Sequence, residues 1–189
     1  MEPARGFPEM MQAVTALQAT RPNLHAIIIG EDRVAYGSKA QGESWKDKML
    51  TELTPDVRRL HFTGLVSRRR MVDVLRAGDA HLYLSTPFVL SWSFLDAMAC
   101  GALVVANDSD PVREFKDDGK SGLLVDMYDP EALKTKVAEA LDGRETLQKL
   151  RKAARRRMVS RMDAVDVAYP QKVAFFEDLL KVDAKGSKS

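Results

Sequence analysis

Short apolar runs alternate with helical patterns along almost the whole of this chain, and that alternation is what most restricts its fold. "LHAIIIG", "RLHFTG", "AHLYLS", "LVVA" and "SGLLV" are each too short for a helix and are rich in β-branched or aromatic residues. Between them lie helical patterns. "GFPEMMQAVTALQATRPN" puts Met10, Ala13, Val14 and Leu17 on one face, with Pro8 in its first turn. A polar stretch reaching about Gly42 reads as loop, and "ESWKDKMLTEL" reads as a second helix. "SRRRMVDVLRAG" has Ser67 to cap its start and Gly78 past its end. "SFLDAMAC" is closed by Gly101, and "DPVREF" is a helical turn. "DPEALKTKVAEALDG" carries Asp129 as N-cap, Pro130 at the first position and Gly143 after its end.

This order predicts a doubly wound, Rossmann-like α/β fold with a mostly parallel sheet. Strands are expected at Ala26–Ile29, His61–Thr63, His81–Leu84, Val104–Ala106 and Leu123–Val125. The "AIII" run is of the kind buried in parallel sheets. The chain opens on a loop and a helix where such a fold opens on a strand. The sheet is therefore expected to lack its first strand and to show an unpaired edge or groove near Ala26–Ile29. Residues 1–165 are expected to form the main domain, 166–182 a crossover helix, and 183–189 a disordered tail.

Composition narrows the function classes. A chain of 189 residues with 45% hydrophobic content builds an ordinary core. One cysteine, Cys100, makes no intrachain disulfide and fits a reducing compartment. A net charge of +2 is no strong lure for nucleic acid. The opening "MEPARGFPEM" lacks the apolar segment of a secretory leader, so a cytoplasmic location is expected. His25, His61 and His81 fall in strand patterns without metal-ligand spacing, so no metal and no bound cofactor are expected. The serines lack a nucleophile-elbow pattern.

The chemistry concentrates in "STPFVLSWSFLDAMACGALVVA". Ligands of open parallel sheets bind beyond the strand carboxyl ends. Ser93 is a candidate cap for the helix there, with Asp96 three residues on in an approximate capping box. The alternative role for Asp96 uses the same place: an acid near a helix start accepts two hydrogen bonds from a ribose diol, while free N–H groups attract phosphate.

"LDAMACGALVVA" followed by "DGKSGLLVDMYDPEAL" resembles the "EAMACG.PVVA…DG.NGLLV…D.EAL" signature of glycosyltransferases with two Rossmann domains, the GT-B fold, of the retaining family-four branch. "RGFPEMMQAVTALQATRPNLHAIIIGED" and "VRRLHFTGLVSRRRMVDVLRAGDAHLYLS" are similar to the preceding parts of that family. The resemblance runs from about Arg5 to Leu141 and is to the C-terminal, donor-binding domain. It implies transfer of a hexose-type sugar from a nucleoside-diphosphate sugar to a glycan or lipid-linked acceptor, as in polysaccharide biosynthesis. An N-terminal domain outside this sequence would place the acceptor, leaving this chain inactive alone. The family's ribose-holding acid falls on Asp96, and its sugar-contacting acid on Phe88. "VLSWS" replaces its glycine-rich loop, and Arg5 stands at its phosphate-binding Lys. The base is implied to rest near Leu65 and Val66. The donor site so implied comprises Arg5, Gly64, Leu65, Val66, Phe88, Val89, Leu90, Ser91, Trp92, Ser93 and Asp96, with catalytic residues unassigned. The departures at Phe88 and the lost glycines leave a second reading, a non-catalytic nucleotide-binding or partner module derived from that fold.

The basic run Lys149, Arg151, Lys152, Arg155, Arg156 and Arg157 reads as a solvated helix face. The alternative is peripheral contact with the inner face of an anionic membrane, which suits a lipid-linked acceptor. No aromatic residues interleave for nucleic acid.

Overall fold

The computed structural model describes residues 1–189 apart from 36–43, 89, 116, 144 and 187–189. Much of the polar stretch up to Gly42, the end of the tail, and Val89 of the expected donor site lie outside the described residues. In chain order the elements are α1 (Phe7–Gln18), β1 (Ala26–Ile29), α2 (Trp45–Leu53), β2 (Leu60–Gly64), α3 (Arg68–Ala77), β3 (His81–Tyr83), α4 (Trp92–Cys100), β4 (Val104–Asn107), α5 (Asp110–Phe115), β5 (Leu123–Val125), α6 (Pro130–Asp142), α7 (Gln148–Met162) and α8 (Tyr169–Gly186). Each expected strand is present within a residue or so of its expected ends. Ser67, Asp129 and Ser44 accept a backbone N–H of their own helices and start them as N-caps.

All strand pairs are parallel. They fall into a two-stranded sheet, β1 with β2, and a three-stranded sheet in the order β3-β4-β5. β4 is buried along its whole length, and its side chains alternate between two layers. Val105 joins Ala13, Leu17, Leu123, Leu133 and Val137 beneath α1 and α6. Val104 and Ala106 join Leu75, Phe94, Met98, Ala154 and Met158 on the opposite face, beneath α3, α4 and α7. Phe94 and Met98 have no solvent exposure, and each such side chain contributes about 1.5–3 kcal/mol by burial. A third cluster, Phe7, Met11, Val14, Met49 and Leu60, ties α1 and α2 to the smaller sheet.

Among the described residues β1 pairs only with β2, so one edge of β1 is unpaired, as expected. The expected burial of the "AIII" run needs correction. Ile27 is half exposed. The helices α1 and α2 pack on one face of this sheet, while His25, Ile27, His61 and Thr63 meet solvent on the other. His25 and His61 stack there, with His25 Nδ1 and His61 Nε2 3.0 Å apart.

The first six residues run from the carboxyl end of β1 to that of β3. The Met1 ammonium donates to the Glu31 and Arg33 carbonyls at 2.9 Å each. The Thr86 N–H and hydroxyl both donate to the Ala4 carbonyl, at 3.1 and 3.2 Å. Gly6 makes this approach possible. Its φ is +64°, and a Cβ there would lie 2.3 Å from Leu84 Cβ. At the other terminus α8 leaves Phe175, Phe176 and Leu180 exposed, and its helix extends to Gly186, into the stretch expected to be a disordered tail.

Candidate functional site

The site assembles where β1, β2 and β3 end. Gly30 donates its N–H to the Gly64 carbonyl at 3.0 Å, joining the first two strand ends. Gly64 has φ +65°, which turns the chain sharply out of β2 and leaves Leu65 exposed at the rim. Beyond β3, Ser85 and Thr86 hold the Ala4 carbonyl, and this fixes the short helical turn Pro3–Arg5 at the same edge. Arg5 is exposed, with its Nε 3.9 Å from the Glu2 carboxylate. Asn107 braces the floor: its amide donates to the Ser85 carbonyl at 3.0 Å and accepts from the Met127 N–H at 3.2 Å.

Helix α4 starts two residues earlier than the capping-box pattern predicts, and this changes the role of two residues. Ser91, not Ser93, is the N-cap, and no side chain caps the helix. Ser91 and Ser93 hydroxyls instead bond each other at 2.7 Å. The Ser91 N–H donates to the Tyr83 hydroxyl at 3.2 Å, and the Tyr83 ring packs on Phe94 with centroids 4.9 Å apart. Starting the helix at Trp92 puts Asp96 beyond the first turn, out of reach of a capping role. The Asp96 carboxylate faces α3, where Arg68 grips both of its oxygens: Nη2 to Oδ1 at 2.9 Å and Nη1 to Oδ2 at 3.1 Å. This pairing raises the pKa of Arg68. The Asp96 side chain is 18% exposed, whereas that of Arg68 is 74% exposed, so the guanidinium covers the acid from the solvent side.

The structure thus gathers Gly64, Leu65, Val66, Ser91, Trp92, Ser93 and Asp96 around the ends of β2 and β3, with Arg5 on the loop held by Thr86. Phe88 and Trp92 are exposed at the rim, and Leu90 packs against the α4 layer. Sequence reasoning missed Arg68 and Tyr83. The signal for Arg68 was available: it is the first helical residue after the Ser67 cap, two positions beyond Val66. Within "SRRR" the three arginines look alike, and nothing local marks which of them meets a carboxylate.

The basic run of α7 is also corrected. Arg151 donates to the Gly101 carbonyl at 2.8 Å, and Arg155 donates to the Ala99 carbonyl. Both engage carbonyls at the C-terminal end of α4, where the helix dipole favours cations. Arg157 pairs with Asp117 at 3.0 Å and with the Glu114 carbonyl at 3.1 Å. Half of the run is therefore structural, while Lys149, Lys152 and Arg156 are exposed. Among the described residues no group of three His, Cys, Asp or Glu side chains is placed to hold a metal, and no helix is long and apolar enough to cross a membrane.

Comparison with known proteins identifies the fold and the family. The phosphatidyl-myo-inositol mannosyltransferase of Mycolicibacterium smegmatis is 27% identical over 136 residues, covering 70% of this chain and 31% of that protein. Anabaena Alr3699/HepE, solved in complex with UDP-glucose, superposes with a TM-score of 0.77 at 20% identity, covering 94% of this chain and 46% of that one. The C-terminal domain of the glycosyl transferase group 1 protein LpcC from Francisella tularensis superposes with a TM-score of 0.71 at 18% identity, covering 85% of this chain and 81% of that domain. The fold is that of GT-B glycosyltransferases, and the chain spans less than half the length of the mannosyltransferase and of HepE. The sequence pattern of the family "Glycosyl transferases group 1" matches residues 1–157, and the chain belongs to that family.

Proposed function

We propose that this chain is the donor-binding half of a glycosyltransferase that moves a sugar from a nucleoside-diphosphate sugar to a hydroxyl of a glycan or lipid-linked acceptor. The observation that carries the reading is the single acid Asp96, held on α4 at the strand carboxyl ends. There it can accept both hydroxyls of a ribose. The N–H groups opening α4, the Ser91 and Ser93 hydroxyls and the Arg5 guanidinium then face the leaving diphosphate, and they neutralise it without a metal. The base rests at Leu65 and Val66, on the exposed turn after Gly64. The exposed cations Lys149, Lys152 and Arg156 suit contact with an anionic membrane carrying a lipid-linked acceptor.

In this reading the unpaired edge of β1 is completed by a strand from an upstream part of the protein, and the acceptor binds in a second domain. The N-terminal segment, stretched between the ends of β1 and β3, stands where a strand between the two sheets would feed in. Phe88, exposed where the family has its sugar-contacting acid, favours the second reading, a module that binds nucleotide without catalysis. Calorimetry of UDP binding, with sugar transfer assayed in this chain and in an upstream-extended form, separates the two. Binding by both forms with turnover only in the longer one supports the proposal. Binding without turnover in either supports the module, and turnover by the short chain alone overturns the incomplete-site reading.

A further inference from the structure

We propose that Arg68 is a gate on the donor site, competing with the donor's ribose for Asp96. The inference rests on Asp96 being the ribose-binding acid. A guanidinium fork and a vicinal diol present the same pattern to a carboxylate, two side-by-side donors for two oxygens. Arg68 already takes both oxygens, at 2.9 and 3.1 Å, and it does so from the solvent side of the acid. A diol that reaches the carboxylate from this same open side needs the two oxygens that Arg68 holds, so the two ligands exclude each other. The fork is easily withdrawn. Arg68 stands at the first position of α3, its side chain is largely exposed, and among the described residues its side chain bonds only the Asp96 carboxylate. Until a donor arrives, the guanidinium keeps the carboxylate paired and shielded from solvent. Donor binding then costs the breaking of one ion pair.

The test is calorimetric, with UDP as the probe at one ionic strength. Five proteins are compared: the unaltered chain, Arg68→Gln, Arg68→Lys, Asp96→Asn, and the double variant Arg68→Gln with Asp96→Asn. The expected gain for Arg68→Gln is about 2- to 5-fold tighter binding, the range for releasing an ion pair with one exposed partner. Arg68→Lys, which keeps the charge but loses the fork, should fall between the two. Asp96→Asn should weaken binding, and adding Arg68→Gln to it should change nothing further, because the cation then has no acid to block. Circular dichroism melts confirm that each protein is folded. Weaker binding in Arg68→Gln would make the guanidinium a donor ligand and overturn the gate, as would a gain that survives in the Asp96→Asn background. Unchanged binding in Asp96→Asn, or no UDP binding by any of the five, overturns the ribose reading on which the gate rests. The sign of the Arg68→Gln effect therefore tests the gate separately from the site.

Discussion

At the scale of single residues, Asp96 and Gly6 carry the sharpest consequences. Asp96→Ala removes the carboxylate proposed to hold the ribose and should weaken UDP binding by about 1.5–3 kcal/mol, the range for hydrogen bonds to a charged group. Isothermal calorimetry reads this directly, and unchanged affinity would reduce Asp96 to a partner of Arg68. Gly6→Ala forces a Cβ against Leu84 at a backbone conformation that disfavours side chains. A loss of about 2–3 kcal/mol in urea denaturation is expected, from overpacking plus backbone strain. Arg5 rides on the same turn, so this variant should also lose UDP affinity. The Arg21–Asp142 pair gives a pH signature. The Arg21 guanidinium, bonded to both Asp142 oxygens at 2.6 and 2.7 Å, holds that carboxyl below its usual range. A carboxylate depressed in the folded state stabilises it fully above its unfolded pKa of about 3.9 and loses that contribution as pH falls through the folded value. Melting temperatures measured from pH 5 downward should therefore fall less in Asp142→Asn than in the unaltered chain.

At the scale of elements, α7 acts as a brace for α4. The two helices share the Ala97, Ala154 and Met158 layer, and Arg151 and Arg155 fasten the α4 C-terminal carbonyls. Since the other end of α4 opens on the candidate site, the brace fixes where its N–H groups point. Arg151→Ala should cost about 1.5–3 kcal/mol in urea denaturation, as expected for a charge-assisted hydrogen bond lost from a half-buried position. Lys152→Ala and Arg156→Ala, on the exposed side, should stay within about 0.5 kcal/mol. Equal effects from all three substitutions would remove the brace.

At the scale of the whole molecule, the division of the sheet is the dominant fact. A doubly wound sheet in the order 3-2-1-4-5-6 that loses its first strand leaves a pair and a triplet, which is the pattern of β1·β2 beside β3-β4-β5. An unpaired edge on β1 and the exposed Phe175, Phe176 and Leu180 of α8 are both surfaces that favour association. The chain should therefore self-associate at micromolar concentration in size-exclusion chromatography with light scattering. Replacing Phe175, Phe176 and Leu180 together by Ser should raise the monomer fraction. If the substituted chain associates as strongly as before, α8 is not the contact.

The sequence by itself determined the parts whose causes are local. Strand positions followed from short β-branched runs, and helix limits from Ser67, Asp129, Pro130 and Gly143, because a cap or a fixed φ acts within a turn of its own position. The location of Asp96 at the strand ends was also readable, as strand order sets where ligands bind. What only the tertiary structure decided were pairings between segments far apart in the chain. Asp96 meets Arg68 across 28 positions, and Arg151 meets Gly101 across 50. No periodicity records which exposed cation a carboxylate or a helix end will find, because a charge reads the same in the sequence whether it is solvated or paired. Ile27 shows the same limit for apolar residues: its run encodes a strand, but whether a helix covers the second face depends on the path of the whole chain.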